Sequence, residues 1–101
     1  MTHPNKRKGN AYERELVNDA RANGLDAERA WGSDGRSMGM PADVDLVVQG
    51  MPLQCKRVKQ LPKWLGMSDS VGGVAVREDR GETYVLVRWD AVRRWLASEG
   101  W

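Results

Sequence analysis

The sequence predicts an α/β protein, a small mixed central sheet flanked by helices, and three observations carry that expectation. Apolar positions change period along the chain, reading in order helix, strand, strand, strand, helix, strand, strand, helix. Two apolar runs flank Gln49-Gly50, the composition of a hairpin turn near the middle of the chain. At 101 residues the chain makes one domain with a small core, so self-association is expected to supply buried surface that the monomer lacks.

Residues 1–8 read as a basic, flexible arm and 9–101 as a single domain. Gly9 or Asn10 opens a helix that runs to about Asn23, with Gly24 as its stop. Its inward stripe is Leu16, Val17 and Ala20, begun by Tyr12 or Ala11. Glu13 shares that inward face, whereas Glu15 lies about 200° round the helix and is solvated. An inward acid needs a cationic partner, so Glu13 is either a functional group or one half of a helix-end salt bridge. Leu25 to Trp31 alternates as a short strand. From Gly32 to Pro41, three glycines, two serines, Asp34 and Arg36 make a loop of unusual length for so small a domain. The hairpin follows, over roughly 43–48 and 52–57, and leaves through Lys56-Arg57-Val58-Lys59. A short helix from about Pro62 to Gly66 presents Leu61, Trp64 and Leu65. Strands from Val74 to Arg77 and from Thr83 to Trp89 flank a turn at residues 78–81. Asp90 is the expected N-cap of the last helix, whose apolar face is Ala91, Val92, Trp95 and Leu96.

Composition narrows the function classes. The formal charge is +2, but Lys6, Arg7, Lys8 and Arg14 face only Glu13 among the first fourteen residues. Such an arm suits phosphate contact better than a membrane, the alternative being a disordered, solubilising start. No apolar run approaches the about 18 residues of a membrane span, and no hydrophobic leader opens the chain. A soluble intracellular protein is expected, cytoplasmic or in a host cell if viral. The single cysteine, Cys55, has no histidine to activate it and reads as a core thiol; His3, the only histidine, lies in the arm, which excludes a zinc site. Trp31, Trp64, Trp89 and Trp95 read as core or interface anchors in preference to base-stacking platforms.

With Gln49-Gly50 as the turn, position i faces position 99 minus i, so Asp45 sits opposite Gln54. Alternation puts Asp43 and Lys56 on the face of that pair and Val44, Leu46 and Cys55 on the other. Carboxylate, amide and ammonium on one face suit a metal-dependent phosphodiesterase. Mg²⁺ or Mn²⁺ takes oxygen ligands from one or two carboxylates, waters and substrate phosphate. Asp45 offers one, Glu13 or Asp43 another, and the Gln54 side chain or nearby carbonyls a third. Lys56 stands where it acidifies water or stabilises the charged phosphate. An acid near a strand start and a lysine near a strand end are also common on any solvated sheet face.

Lys8-Gly9, Glu13-Arg14-Glu15-Leu16-Val17, the Gly24 to Arg29 segment, Gly32-Ser33, Val44-Asp45-Leu46-Val47 and Gln54-Cys55-Lys56 resemble, in order and spacing, the archaeal-type Holliday junction resolvases of the PD-(D/E)XK nuclease superfamily. The likeness is strong over residues 6–59 and continues only as an element pattern. It implies a restriction-endonuclease-like core, with Glu13 as the first acid, Asp45 as the strand acid, Lys56 as the catalytic lysine and Ser33 as the loop serine. It makes Arg14 and Arg29 contacts to DNA, to which the basic residues Lys6, Arg7, Lys8, Arg36, Arg57 and Lys59 add. It also implies a two-fold homodimer with two metal sites, each cutting one of two opposed strands of a four-way junction to leave a 5′-phosphate. Gln54 stands where the motif has Glu. Three readings follow: a natural variant with Asp43 as the replacement acid, an engineered inactive protein, or a lineage that binds DNA without cutting. The connection after Lys59 is shorter than the family's. The expected function is Mg²⁺-dependent resolution of four-way DNA in recombination or in processing replicated viral or bacterial DNA. The alternatives are a nuclease for other branched DNA and a structure-specific binder.

Overall fold

The computed structural model describes residues 4–101, and the side chains of residues 9–32 and 34–101. Helix α1 spans Pro4–Ala22. Most of the segment expected to form an arm is therefore helical, while Met1 to His3 lie outside the described residues. Pro4 suits a first helical position because its missing N–H would be unpaired there anyway, and the straight side chains of Lys6, Arg7 and Lys8 favour helix. Gly9 costs about 1 kcal/mol of propensity without stopping it. The helix ends as Gly24 and Leu25 require. Gly24 has φ of 79°, its N–H donates to the Arg21 carbonyl at 3.0 Å, and the Leu25 N–H donates to that of Ala20 at 3.0 Å. This is a Schellman ending, and Leu25 closes it by burying its side chain in the same cluster as Ala20.

Strands β1 (Ala27–Arg29), β2 (Leu46–Val48) and β3 (Met51–Leu53) form an antiparallel sheet in that order. Leu46 pairs with Leu53 and Val48 with Met51, the register expected from the turn. Both turn residues have positive φ, 49° at Gln49 and 84° at Gly50, as two-residue hairpin loops demand. Gln49 is held in that uncommon conformation from both ends: its N–H donates to the Asp26 carbonyl at 2.8 Å and its Oε1 accepts the Asp26 N–H at 2.7 Å.

Strands β4 (Gly73–Val76) and β5 (Tyr84–Val87) form a second, two-stranded antiparallel sheet, and helix α2 (Trp89–Glu99) follows. The expected single mixed sheet is thus two small antiparallel ones. Parallel pairing needs a long crossover, usually helical, and between β1 and β2 the chain makes only two 3-10 turns, Trp31–Ser33 and Gly35–Met38. Pro52, with no N–H for a ladder, marks β3 as an edge.

The core is where the sequence stripe puts it. Val17 and Ala20 of α1 meet Leu25, Leu46, Val48, Met51 and Leu96 of α2, with Leu16, Leu53, Cys55, Trp89 and Val92 half-buried around them. Two expectations at α2 and among the tryptophans are corrected. Arg88, not Asp90, is the N-cap, without a side-chain hydrogen bond; Asp90 lies in the first turn, where a carboxylate favours the helix dipole. Trp31, Trp64 and Trp95 are exposed, so none is a core anchor. Trp89 does anchor: half-buried, it donates from Nε1 to Asp19 Oδ2 at 2.8 Å. Trp101 meets Trp95 edge-on, ring centroids 6.2 Å apart. Among the described residues no helix is long and apolar enough to cross a membrane.

Candidate functional site

The hairpin ladder stops at Leu46 and Leu53, so Asp43 to Asp45 and Gln54 to Lys56 lie beyond the paired strands. What holds the two segments together there is Asp45. Its N–H donates to the Leu53 carbonyl at 2.8 Å, one residue out of the hairpin register as at a β-bulge. Its carboxylate Oδ2 accepts the Cys55 N–H at 2.7 Å, and its carbonyl accepts the Ala30 N–H from the β1 side at 2.8 Å. One residue therefore ties three chain segments.

Over this open end lies the first part of α1. The result is a cleft of about 330 Å³ lined by Gly9, Asn10 and Glu13 from the helix and by Asp43, Asp45, Gln54, Cys55 and Lys56 from the hairpin ends, with Ala42. The residues expected from alternation to share a face do share this cleft. Asp43, Gln54 and Lys56 are exposed and Asp45 is half-buried, while Val44 and Leu46 are buried behind them.

Glu13 keeps 4 % of its surface exposed. Arg29 on β1 brings Nη2 to 3.4 Å from Glu13 Oε2, so the inward acid has the cationic partner its position requires. The Arg29 Nε is buried with no hydrogen-bond partner. Glu13 is thus one half of an ion pair, and it also lines the cleft.

Cys55, expected on the opposite face, borders the cleft as well, because regular alternation ends with the ladder at Leu53; its thiol is pushed up to about 12, chiefly by burial and then by the charges of Asp45 and Glu13. It stays protonated at neutral pH, which excludes it as a nucleophile. Tyr12, half-buried on the same helix, has its hydroxyl pKa raised chiefly by burial.

The basic residues divide. Arg14, Arg57 and Lys59 are exposed. Arg36 is exposed as well, but its guanidinium grips Asp34, Nε at 3.0 Å from both carboxylate oxygens. Those bonds hold the Asp34 carboxyl down at about 2. The side chains of Lys6, Arg7, Lys8 and Ser33 lie outside the described residues. Asn10 was not singled out in the sequence, although it precedes Glu13 by three residues and so shares its helix face.

Apart from the Cys55 thiol, which burial keeps protonated, and the Lys56 ammonium, the side chains lining the cleft offer carboxylate and amide oxygens. That set suits a hard divalent cation and not zinc. Among the described residues no three His, Cys, Asp or Glu side chains converge as a ready metal cage.

Acids, an amide and an ammonium thus line one cleft of a small α/β unit. The chain matches the archaeal Holliday junction resolvase family (Hjc) over residues 4–97, and it belongs to that family. No individual curated protein and no solved structure matches it.

Proposed function

We propose that the chain is a structure-specific endonuclease that resolves four-way DNA junctions by metal-dependent hydrolysis, with Mg²⁺ as its cofactor and Mn²⁺ able to substitute. The observation that carries this reading is the gathering of Glu13, Asp43, Asp45, Gln54 and Lys56 in one cleft of a resolvase-family chain. Asp45, Gln54 and Glu13 or Asp43 are the residues that hold the cation. When bound, the cation neutralises phosphate charge and acidifies the attacking water. Asp45 presents its carboxylate from a fixed position because one oxygen is tied to the Cys55 N–H. Lys56 offers an exposed ammonium to the phosphate as negative charge builds on it. Arg29 pairs with Glu13 across the inner wall of the cleft, and buried Val44 and Leu46 form the apolar backing on which the acid segment rests. Contacts from Arg14, Arg57 and Lys59 go to phosphates, so recognition is of DNA shape and not of base sequence.

Two such clefts related by a two-fold axis would nick opposed strands in a pair, each nick leaving a 5′-phosphate. A second reading has a specific observation in its favour. Gln54 is neutral where the resolvase motif has Glu, and a binder that no longer cuts would tolerate that loss. Incubating the protein with a synthetic four-way junction and Mg²⁺ or Mn²⁺ separates the readings. Symmetric paired nicks are expected; tight binding without product selects the binder, and cuts in flapped or plain duplex select a different nuclease. Light scattering is expected to give the mass of a dimer, and a strictly monomeric mass on the junction removes the paired-cut mechanism.

A further inference from the structure

Trp31 is 85 % exposed, the most exposed of the large apolar side chains. Its neighbours along the chain are Ala30, which is buried and whose N–H donates to the Asp45 carbonyl at 2.8 Å, and Gly32. An indole left in water immediately beside the segment that carries the strand acid has no role in the core.

The loop that carries it is built to hold it there. The Trp31 N–H donates to Ser37 Oγ at 3.0 Å, and its carbonyl accepts the Asp34 N–H at 3.2 Å. Gly32, with φ of 62°, turns the chain directly after it. Gly35 is buried because the loop lies against the start of the β2 segment: a Cβ there would stand 2.2 Å from the Pro41 carbonyl oxygen and 2.8 Å from the Val44 Cβ. Asp34 and Arg36 lock the loop's outer side by a forked ion pair. The position of Trp31 is thus fixed relative to Asp45 through Ala30 on one side and through Gly35 and Val44 on the other.

We propose that Trp31 is a stacking platform for an unstacked base of branched DNA. The proposal rests on the junction-cutting reading for the identity of its partner as DNA. A flat aromatic face stacks on any base whose own stack is broken, and inside a linear duplex the base faces are already covered. The platform therefore selects DNA with an opened stack, such as the branch point, without reading sequence.

The test compares the full chain with Trp31→Ala and Trp31→Phe, each titrated in EDTA against a four-way junction, a single-stranded oligonucleotide and a linear duplex. Trp31→Ala is expected to weaken binding of the junction and the single strand by about 5- to 150-fold and to leave the duplex unchanged. Trp31→Phe is expected to restore most of the loss. A 2-aminopurine at the branch point is expected to be quenched by the wild-type protein and not by Trp31→Ala. Equal affinity of wild type and Trp31→Ala for all three DNAs overturns the proposal, as does a loss of the same size on the duplex. A wild-type protein with no preference for junctions refutes the resolvase reading, while the contrast between single strand and duplex still decides the role of Trp31.

Discussion

Asp45 has two duties, and a pair of substitutions separates them. Its carboxylate is offered to the cleft, and its Oδ2 ties the Cys55 N–H at 2.7 Å, bridging the hairpin where the ladder has ended. A hydrogen bond to an ionised group contributes about 1.5–3 kcal/mol, roughly twice a neutral one. Asp45→Ala removes both charge and tie, so it is expected to cost about 1.5–3 kcal/mol; for a domain near 100 residues that lowers Tm by about 7–14 °C. Asp45→Asn keeps an oxygen in the same place and loses only the charge assistance, about 1 kcal/mol. Cutting of a four-way junction, by contrast, is expected to fall by about a hundredfold or more in both variants, because a carboxylate ligand is gone either way. Calorimetry alongside a gel-based cleavage assay gives both numbers on the same samples. A wild-type cutting rate in Asp45→Asn refutes the metal-ligand assignment. An unchanged Tm in Asp45→Ala refutes the claim that this carboxylate holds the cleft's two walls together.

Three more outcomes follow from the same structure. Leu96 is fully buried where α2 meets both α1 and the hairpin, and Leu96→Ala is expected to cost about 2–5 kcal/mol in urea unfolding; a loss under about 1 kcal/mol contradicts the packing described. Gln54→Glu adds a charge to the cleft and is expected to raise the cutting rate and lower the Mg²⁺ concentration at half-maximal rate; no change in either removes Gln54 from the ligand set. Cys55, with its thiol at about 12 in place of 9.0, carries about a thousandfold less thiolate at pH 8 than an ordinary cysteine, so iodoacetamide is expected to label it only after unfolding. Because the folded state favours the neutral thiol, that contribution to stability is complete below about pH 9 and is lost as pH rises toward 12. Rapid labelling of the native protein at pH 8 counters the burial argument.

Local patterns in the sequence carried most of the site. The hairpin register needed only the turn composition and the two flanking apolar runs, and the cleft's polar wall followed from alternation. Glu13 was legible as an inward acid from its spacing to Val17 and Ala20. Three features were not legible, each for its own reason. The start of α1 was misplaced because a run of cations reads as an arm by charge although its side chains favour helix. The mixed sheet was wrong because pairing direction depends on what the connection between β1 and β2 does in space, and its two 3-10 turns carry no periodic signal. Trp31 was assigned to the core or an interface by residue type alone; its exposure rules out the core, and the turn at Gly32 that follows it carries no hydropathy signal.

The turn at Gln49-Gly50 lies at the far end of the hairpin from the cleft, yet it holds the parity of the whole site. Strand faces alternate with a period of two, so a slip of one residue in the β2–β3 pairing would trade every outward side chain for its neighbour. Val44 and Leu46 would then face the cleft, and Asp43 and Asp45 would be driven toward the core. Two backbone conformations of positive φ, braced by the Asp26 backbone on either side of Gln49, decide whether this protein presents acids or hydrocarbon to its substrate.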